Sequence, residues 1–344
     1  MAILVDEKVD FLIQGITGRA GSGATRYMLE YGTRIAAGVT PGRGGEAVWG
    51  VPVYETVEEA VSRHGLMDAS VTFVPGPMVK EAAFEAMDAG IRFLVMPVER
   101  VPLHDILEMV EYSRRKKVKI LGPGSFGIIS PGRAAAGWIG GSVELAEESI
   151  LQGPVGVMSR SGGMTTTVCW FLARLGIGVS TALHIGAEPI VGLSFPEILP
   201  LFEEDEETRA VVMFGEIGTV AEEEAANVMK EGRFSKPLVA YIAGAGLQPG
   251  VRYSHASAMR ARRACIVHPT ALKGCPPPAD GLVTIGGRFY NALGQRYMKK
   301  HDPARAEKVT RDLIAIHTHE EIKPAGVRLA AACTMTSQAS PRRS

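Results

Sequence analysis

Three segments in the second half of the sequence carry residue types that could together transfer a phosphoryl group. Glu216 ends the apolar run AVVMFGE, and His255 lies in a later loop that reads YSHASA. A carboxylate that holds one imidazole nitrogen leaves the other nitrogen available as a nucleophile. The segment 159–163, SRSGG, begins a predicted helix, and the N-terminal amides of a helix favour a phosphate. This combination predicts a phosphohistidine site.

Each of these features also has a plainer interpretation. A loop histidine is usually exposed to solvent without a catalytic role, and Ser161 is of a type that commonly caps a helix. Glu216 could equally cap the acidic helix that follows it. The residues alone leave both interpretations open.

The first half contains two Gly-rich turns that suit a phosphate-bearing ligand. Residues 15–21, GITGRAG, separate an apolar run from a predicted helix, and glycines there let backbone amides approach a phosphate. Thr40 ends the next apolar run, and Arg43 in TPGRGG adds a cation. A turn without a ligand and a solvated arginine are the alternatives. The GxxGxxG spacing, with no acidic residue ending RIAAGVT, disfavours a nicotinamide-dependent dehydrogenase.

These turns lie between short apolar runs and helix-like segments that alternate along the chain. Such alternation predicts a doubly wound α/β domain with a parallel sheet. The predicted strands are 9–15, 34–40, 69–75, 91–98 and 118–122, then 155–158, 179–186, 210–215 and 237–244. The predicted helices are 23–31, 78–89, 104–116, 163–175, 195–204 and 220–231. Beyond residue 259 the periodicity is weak, with a strand or turn over 286–291 and a helix over 303–316.

Composition excludes several classes of protein. The 344 residues carry 37 basic and 37 acidic side chains, which argues against nucleic-acid binding through broad phosphate neutralisation. No apolar run is long enough to span a membrane, and residues 1–10 lack the apolar core of a signal peptide. The 4 cysteines form no CxxC pair, so neither a disulfide framework nor a metal site is predicted. We expect a soluble, cytoplasmic protein.

Several segments, in order and spacing, resemble those of succinyl-CoA synthetase (succinate–CoA ligase) α subunits. They are QGITGRAG, GVTPGRGG, VPVYETVEEAV, EAMDAGI, MSRSGG, FGEIG, KPLVAYIAG and the SHASA loop, and they cover about residues 1–259. The resemblance implies a Rossmann-like CoA-binding domain followed by a flavodoxin-like ligase domain. It also implies coenzyme A as a substrate and a hetero-oligomer with a β subunit, whose ATP-grasp domain binds ATP or GTP with Mg²⁺.

The same resemblance assigns roles to individual residues. His255 matches the histidine that is transiently phosphorylated, and Glu216 matches the carboxylate that steadies it. The residues that match coenzyme A contacts are Thr17, Gly18, Arg19, Ala20, Arg43, Pro97, Val98 and Glu99. The residues at the phosphate or near the substrate are Ser159, Ser161, Gly162, Gly163 and Thr166.

The sequence departs from the family at places that bear on the acid substrate. Thr166 stands where the family has tyrosine, and the wording SRSGGM is closer to ATP-citrate lyase and citryl-CoA synthetase. Succinate, malate, citrate or another organic acid therefore stay open. The segment 260–344 lacks the family's closing α/β unit, and its faint likeness to fumarate-reductase-type flavoproteins is attributed to chance.

We therefore predict an α subunit of a nucleotide-dependent acid–thiol ligase that works through a phosphohistidine and an acyl phosphate. The predicted domains are 1–133 for coenzyme A, a linker at 134–152, a ligase domain at 153–259 and an atypical segment at 260–344. The alternatives are a non-catalytic CoA-binding module and the small subunit of a citryl-CoA or malyl-CoA ligase.

Overall fold

The structure, a computed structural model, describes residues 2–216, 220–242, 288–291 and 333–336. The chain divides into two units, residues 1–243 and residues 244–344. In the second unit, β14 (Arg288–Asn291) pairs antiparallel with β15 (Cys333–Thr336). The first of these strands falls within the predicted strand or turn at 286–291. The predicted helix at 303–316 lies outside the described residues.

The first sheet of the larger unit has seven strands in the order β3-β4-β2-β1-β5-β6-β7. Its strands are β1 (Asp10–Gln14), β2 (Arg34–Val39), β3 (Ala47–Val48), β4 (Val51–Tyr54), β5 (Ala69–Thr72), β6 (Phe93–Val95) and β7 (Lys119–Leu121). Its helices are α1 (Arg19–Glu30), α2 (Val57–His64), α3 (Val79–Asp88) and α4 (Leu103–Lys116). All pairs are parallel except β3 with β4. The predicted Rossmann-like α/β architecture is confirmed.

The second sheet has six strands in the order β13-β12-β10-β11-β8-β9. Its strands are β8 (Gly127–Ser130), β9 (Ala134–Gly137), β10 (Gln152–Ser159), β11 (Val179–His184), β12 (Ala210–Gly215) and β13 (Leu238–Ile242). Its helices are α5 (Val143–Ser149), α6 (Gly162–Arg174), α7 (Phe195–Glu204) and α8 (Ala221–Lys230). Four strands are parallel, as predicted for a flavodoxin-like domain, whereas β8 and β9 pair antiparallel.

The segment 134–152 is not the plain linker that the sequence suggests. It contains β9, all of α5 and the start of β10, and the hairpin of β8 and β9 extends the second sheet. Ser142 caps α5 by accepting a hydrogen bond from the Leu145 amide at 3.3 Å. The hairpin is not predicted from the sequence pattern because β9 consists of alanine and glycine, which are weak strand formers.

Two clusters of buried apolar side chains hold the helices and sheets of the larger unit together. Buried side chains of both sheets, such as Ile13, Val71, Ile129 and Met158, belong to one continuous cluster. A second cluster fills the other face of the first sheet, beneath α2, α3 and α4. Because both faces of the first sheet are covered, its strands are almost continuously apolar, as is usual for parallel sheets. No helix among the described residues is long and apolar enough to cross a membrane.

Candidate active site

The turn between β1 and α1 brings backbone amides to the surface at the carboxyl edge of the first sheet. Gly15 has φ +75°, and a Cβ on Gly21 would lie 2.2 Å from the Gly15 carbonyl oxygen. Glycine at both positions is therefore required for the turn to close this tightly. Helix α1 begins at Arg19, four residues earlier than predicted, because Gly18 takes an extended conformation and starts the helix.

The start of α1 is free of the groups that usually neutralise a helix N-terminus. Its first turn has no acidic side chain, and no side chain caps it. Gly18, Arg19 and Ala20 are exposed. Unpaired amides and the helix dipole at such an end favour an anion. This arrangement fits a phosphate-bearing ligand such as coenzyme A.

The second predicted turn meets the first, as expected for neighbouring parallel strands. The Thr17 hydroxyl lies 3.2 Å from the Thr40 hydroxyl oxygen, and the Thr17 amide lies 3.4 Å from the same atom. Thr40 in turn donates to the Val39 carbonyl at 2.8 Å. The two turns thus share one edge of the sheet, where α/β sheets bind ligands.

Arg43 lies in an exposed loop beside this edge and pairs with Glu46. Arg43 Nη2 lies 2.7 Å from a Glu46 carboxylate oxygen, and the two side chains are 52% and 42% exposed. This hydrogen bond lowers the pKa of Glu46 and raises that of Arg43. Glu55 accepts the amides of Gly42 and Gly44, which lowers the pKa of Glu55 and fixes the loop. An exposed pair of this kind contributes little to stability.

The segment 97–100 follows β6, two strands away from β1 in the same sheet. Pro97 is buried, Val98 is half-buried and Glu99 is exposed. The Val98 carbonyl accepts the Gly124 amide at 2.8 Å. Arg100 has a left-handed φ of 61°, and its amide donates to the carboxylate of Glu188, which is buried. Two contacts thus hold the segment in place.

The predicted phosphate site lies at the start of α6, at the carboxyl edge of the second sheet. Ser159 is buried, and its hydroxyl accepts the Ser161 amide at 2.9 Å and donates to the Ser161 carbonyl at 2.9 Å. Ser161 is the residue before the helix but makes no capping hydrogen bond through its side chain. Thr56 and Ser142, by contrast, cap α2 and α5. The start of α6 is therefore left open to an anion.

Glycine shapes the first turn of α6. A Cβ on Gly162 would lie 2.7 Å from the ring of Phe126, whereas a Cβ on Gly163 would meet nothing within 4 Å. Thr165, one turn later, donates its hydroxyl to the Ser161 carbonyl at 2.9 Å. Thr166 is half-buried on the same helix, within one turn of Gly163.

Glu216 lies directly after β12, the strand that pairs with β10. Ser159 is opposite Phe214 in that pairing, which places Glu216 close to the start of α6. The Glu216 amide donates to Glu222 at 2.8 Å, and one carboxylate oxygen of Glu216, Oε2, is buried without a hydrogen-bond partner. The sequence reasoning placed Glu216 at the end of a strand, and the structure confirms that position.

Arg160 is a charged residue of this site that the sequence reasoning did not single out. It is 2% exposed, and its Nη2 donates to the Glu188 carbonyl at 2.9 Å. Burial lowers the pKa of Arg160, while the charges of Glu216 and Glu222 oppose that change. Arginine is mostly exposed in proteins, so nothing in the local sequence indicates that Arg160 is buried.

His184 is a second residue that the sequence reasoning missed. It is buried at the end of β11, and its Nδ1 accepts the Phe126 amide at 2.8 Å. Nε2 must then carry the proton, and it donates to the Arg160 carbonyl at 3.0 Å. This neutral imidazole has a positioning role: it fixes the backbone just before α6.

Of the predicted catalytic pair, only Glu216 can be placed. His255 lies outside the described residues, 13 positions after the end of β13. No group of three or more His, Cys, Asp or Glu side chains suited to a metal ion occurs within residues 2–216 and 220–242 or the two short strands.

Comparison with known proteins agrees with this geometry. Residues 6–98 match the CoA binding domain family, and residues 152–269 match the succinyl-CoA ligase like flavodoxin domain. The chain is 48% identical over 261 residues to the ADP-forming succinate–CoA ligase subunit alpha 1 of Archaeoglobus fulgidus, covering 75% of this chain and 86% of that protein.

Two further similarities bear on the ligase domain. The malate–CoA ligase subunit alpha of Methylorubrum extorquens is 41% identical over 296 residues, which is 83% of this chain and 97% of that protein. The solved structure of ATP citrate lyase from Methanothrix soehngenii, in complex with citrate and coenzyme A, matches with a TM-score of 0.69 and 25% identity. That match covers 75% of this chain and 44% of the lyase chain. This chain belongs to the family of succinate–CoA ligase α subunits.

Proposed function

We propose that this chain is the α subunit of a nucleotide-dependent ligase that joins coenzyme A to a small carboxylic acid. The observation that carries the proposal is Glu216 at the end of β12, one strand from Ser159 and the uncapped start of α6. A carboxylate next to an open helix N-terminus suits a phosphorylated histidine. The carboxylate orients the imidazole, and the helix amides hold the phosphoryl oxygens.

Coenzyme A would bind at the carboxyl edge of the first sheet. The amides at the start of α1 and the side chains of Thr17 and Arg43 offer donors to its phosphates. Residues 97–99 lie two strands away on the same edge and would contact a more distant part of the molecule. The relatives named above are subunits of succinate–CoA and malate–CoA ligases, which supports this assignment.

The reaction would proceed in three transfers. The γ-phosphoryl group of a nucleoside triphosphate passes to one imidazole nitrogen of His255, releasing the diphosphate. A substrate carboxylate oxygen then attacks phosphorus, which breaks the P–N bond and gives an acyl phosphate. The thiolate of coenzyme A attacks the acyl carbon and expels inorganic phosphate, leaving the thioester. Positioning and electrostatic stabilisation are the main demands on the protein.

The nucleotide would bind to another subunit. The chain contains no GxxxxGK[ST] phosphate-binding motif, and the related α subunits imply a β partner. We propose that this partner holds ATP or GTP with Mg²⁺ in an ATP-grasp domain and presents it to His255. Cytoplasmic location stays a prediction from the sequence.

The acid is best sought among small di- and tricarboxylates. Relatives are named for succinate and malate, and a structural neighbour was solved with citrate. Thr166, half-buried one turn from Gly163, is shorter than the tyrosine of the wider family and would leave room for a larger or hydroxylated acid.

The test uses the full chain with a co-expressed β subunit and γ-labelled ATP or GTP. We expect label on the α chain that is labile in acid and stable in base, and that maps to His255. His255→Asn should abolish it. His64→Asn serves as the control, because His64 is an exposed histidine on α2, a helix of the first sheet. Its Nε2 lies 2.7 Å from the Tyr54 hydroxyl.

Two outcomes would contradict the proposal. Label that persists in His255→Asn would place the phosphoryl group elsewhere. A complex that binds coenzyme A but takes up no label from either nucleotide would show the non-catalytic CoA-binding module instead.

A further inference from the structure

Arg160 is held more firmly than a loop residue between a strand and a helix requires. Its amide donates to the Phe214 carbonyl at 3.0 Å, and its carbonyl accepts His184 Nε2 at 3.0 Å. Its guanidinium is buried and donates to the Glu188 carbonyl at 2.9 Å. Neighbours on the adjacent strands β11 and β12 therefore fix its backbone, and Glu188 in the loop after β11 fixes its side chain.

Two buried polar atoms at this place have no hydrogen-bond partner among the described residues. They are Nε of Arg160 and Oε2 of Glu216. A buried polar atom without a partner carries a substantial desolvation penalty, so such atoms are uncommon and call for an explanation. Here the two atoms have opposite charge and belong to residues next to the start of α6.

The charged and titratable groups around Arg160 lie on or after β11 and β12 and in α8. Glu216 follows β12, and Glu222, which is 7% exposed, lies in the first turn of α8. Glu188, 8% exposed, lies in the loop after β11, and its carboxylate bonds the Arg100 amide. His184 on β11 is neutral by its hydrogen bonds. The negative charges of Glu216 and Glu222 act on Arg160 and oppose the effect of burial on its pKa, and among these described residues the guanidinium donates no hydrogen bond to either carboxylate.

The loop that holds Arg160 also holds the segment 97–100. The Glu188 carboxylate accepts the Arg100 amide, while the Glu188 carbonyl accepts Arg160. A second connection runs through Gly124, whose amide donates to Val98 and whose carbonyl accepts the Ala187 amide at 3.1 Å. The predicted coenzyme A segment and the predicted phosphate site are therefore joined through one short loop.

We propose that Arg160 is a positioning residue for phosphoryl transfer: it orients the Glu216 carboxylate beside α6 and aligns that site with the coenzyme A segment through Glu188. This inference rests on the proposed function. Arg160 touches no reacting atom in it. The positive charge of its guanidinium attracts the Glu216 carboxylate. Glu216 in turn orients His255, so that the histidine meets the phosphoryl group in one geometry.

The test is a double-mutant cycle on the complex of the full chain with its β subunit. Arg160→Met removes the charge at similar length, and Arg160→Lys keeps the charge without the planar fork. We expect Arg160→Met to slow labelling of His255 by about tenfold to 100-fold, because small misplacements of reacting groups cost this much. Arg160→Lys should recover part of the rate, and the KM for coenzyme A should change less than threefold.

The cycle separates positioning from a merely structural role. If Arg160 acts through Glu216, Arg160→Met combined with Glu216→Gln should label as fast as Glu216→Gln alone. Multiplicative effects of the two changes would overturn the inference, and so would a rate loss that only follows the folded fraction in urea. Arg160→Lys keeps the buried charge, so its labelling rate can still be compared with the wild-type rate if Arg160→Met unfolds.

Arg133→Met is the matched control. Arg133 pairs with Glu207 at 2.7 Å at the opposite edge of the second sheet, and we expect wild-type labelling. If the wild-type chain is labelled but the rate effects of the Arg160 and Glu216 changes multiply, this inference alone is overturned. No label at His255 on the wild-type chain overturns the proposed function as well.

Discussion

The two sheets use charge in opposite ways at their carboxyl edges. At the first edge, Arg43 and Glu46 pair in the open, and the start of α1 is exposed. At the second edge, Arg160, Glu188 and Glu222 are each less than 9% exposed. Both edges place an uncapped helix start next to a strand end.

This contrast separates binding from transfer. An exposed pair costs little to break, so a ligand that arrives and leaves can displace Glu46 from Arg43. Buried charges cost several kcal/mol to desolvate and are worth holding only where their orientation must not change, as around a transferring group. The first edge should therefore tolerate changes of charge, and the second should not.

The largest effect is expected at the second edge. Glu216→Gln keeps the shape and removes the charge that we propose orients His255, so we predict a fall of about 100-fold in the rate of His255 labelling. Labelling by γ-labelled nucleotide measures it. Glu223→Gln, on the exposed face of α8, should label at the wild-type rate. Equal labelling of the two variants would remove Glu216 from the mechanism.

Backbone geometry should matter most at the first edge. Gly21→Ala would place a Cβ 2.2 Å from the Gly15 carbonyl and force the turn apart. We predict at least a tenfold weaker affinity for coenzyme A by calorimetry, and a loss of about 1–3 kcal/mol in unfolding free energy.

Gly23→Ala provides the control on the same helix. Its added Cβ meets nothing within 4 Å, so coenzyme A affinity should stay unchanged. Stability should rise by about 0.5–1 kcal/mol, because alanine is the better helix former. Weakened binding in both variants would show that the close approach of Gly21 to Gly15 is not the cause.

Charge at the first edge should have a smaller effect. Arg43→Ala removes one exposed cation, and we predict a severalfold weaker affinity for coenzyme A that converges with wild type as salt rises. Arg34→Ala removes an equally exposed cation, paired with Asp10 at 3.0 Å at the opposite edge of the sheet. It should bind coenzyme A normally, and salt-independent loss in Arg43→Ala would contradict the assignment.

The smallest effect concerns stability in acid. Glu203 accepts the Ser235 hydroxyl and the amides of Ser235 and Lys236, which lowers its pKa below the ordinary value of 4.5. Its stabilisation is present above the unfolded pKa and is lost as pH falls through the folded pKa. Glu203→Gln should therefore cost less than about 1 kcal/mol at pH 7, and less at pH 2 than at pH 7. Urea unfolding at both pH values measures this, and an equal loss at both would contradict it.

The contrast between the exposed first edge and the buried charges of the second edge also decides which features could be predicted from the sequence. The bounds of α7 and β12 agree with prediction, since Ser194 and Pro196 mark the helix start and the strand is a clean apolar run. The hairpin of β3 and β4 was missed because its turn contains Trp49, with φ 53°, before Gly50 rather than the usual Asn-Gly. Exposed turns and strand ends follow from local spacing.

Burial of charge does not follow from local spacing. Arg160 is next to Ser161, which the pattern singled out, but it bonds the Glu188 carbonyl and interacts with the charges of Glu216 and Glu222. These residues are 28 to 62 positions further along the chain. His184 accepts a hydrogen bond from the amide of Phe126, which lies in the loop that joins the two sheets. Such long-range contacts exist only once both sheets have formed.

The most direct test of the account is the fate of the label on His255. The complex is loaded with γ-labelled ATP, freed of nucleotide, and given coenzyme A, an acid from the set succinate, malate and citrate, or both. We predict that the label leaves His255 when one acid of the set is added, as acyl phosphate, and does not leave with coenzyme A alone. With both present, one phosphate and one acyl-CoA should form for each phosphohistidine lost. Label that stays with every acid, or that leaves with coenzyme A alone, would contradict the account.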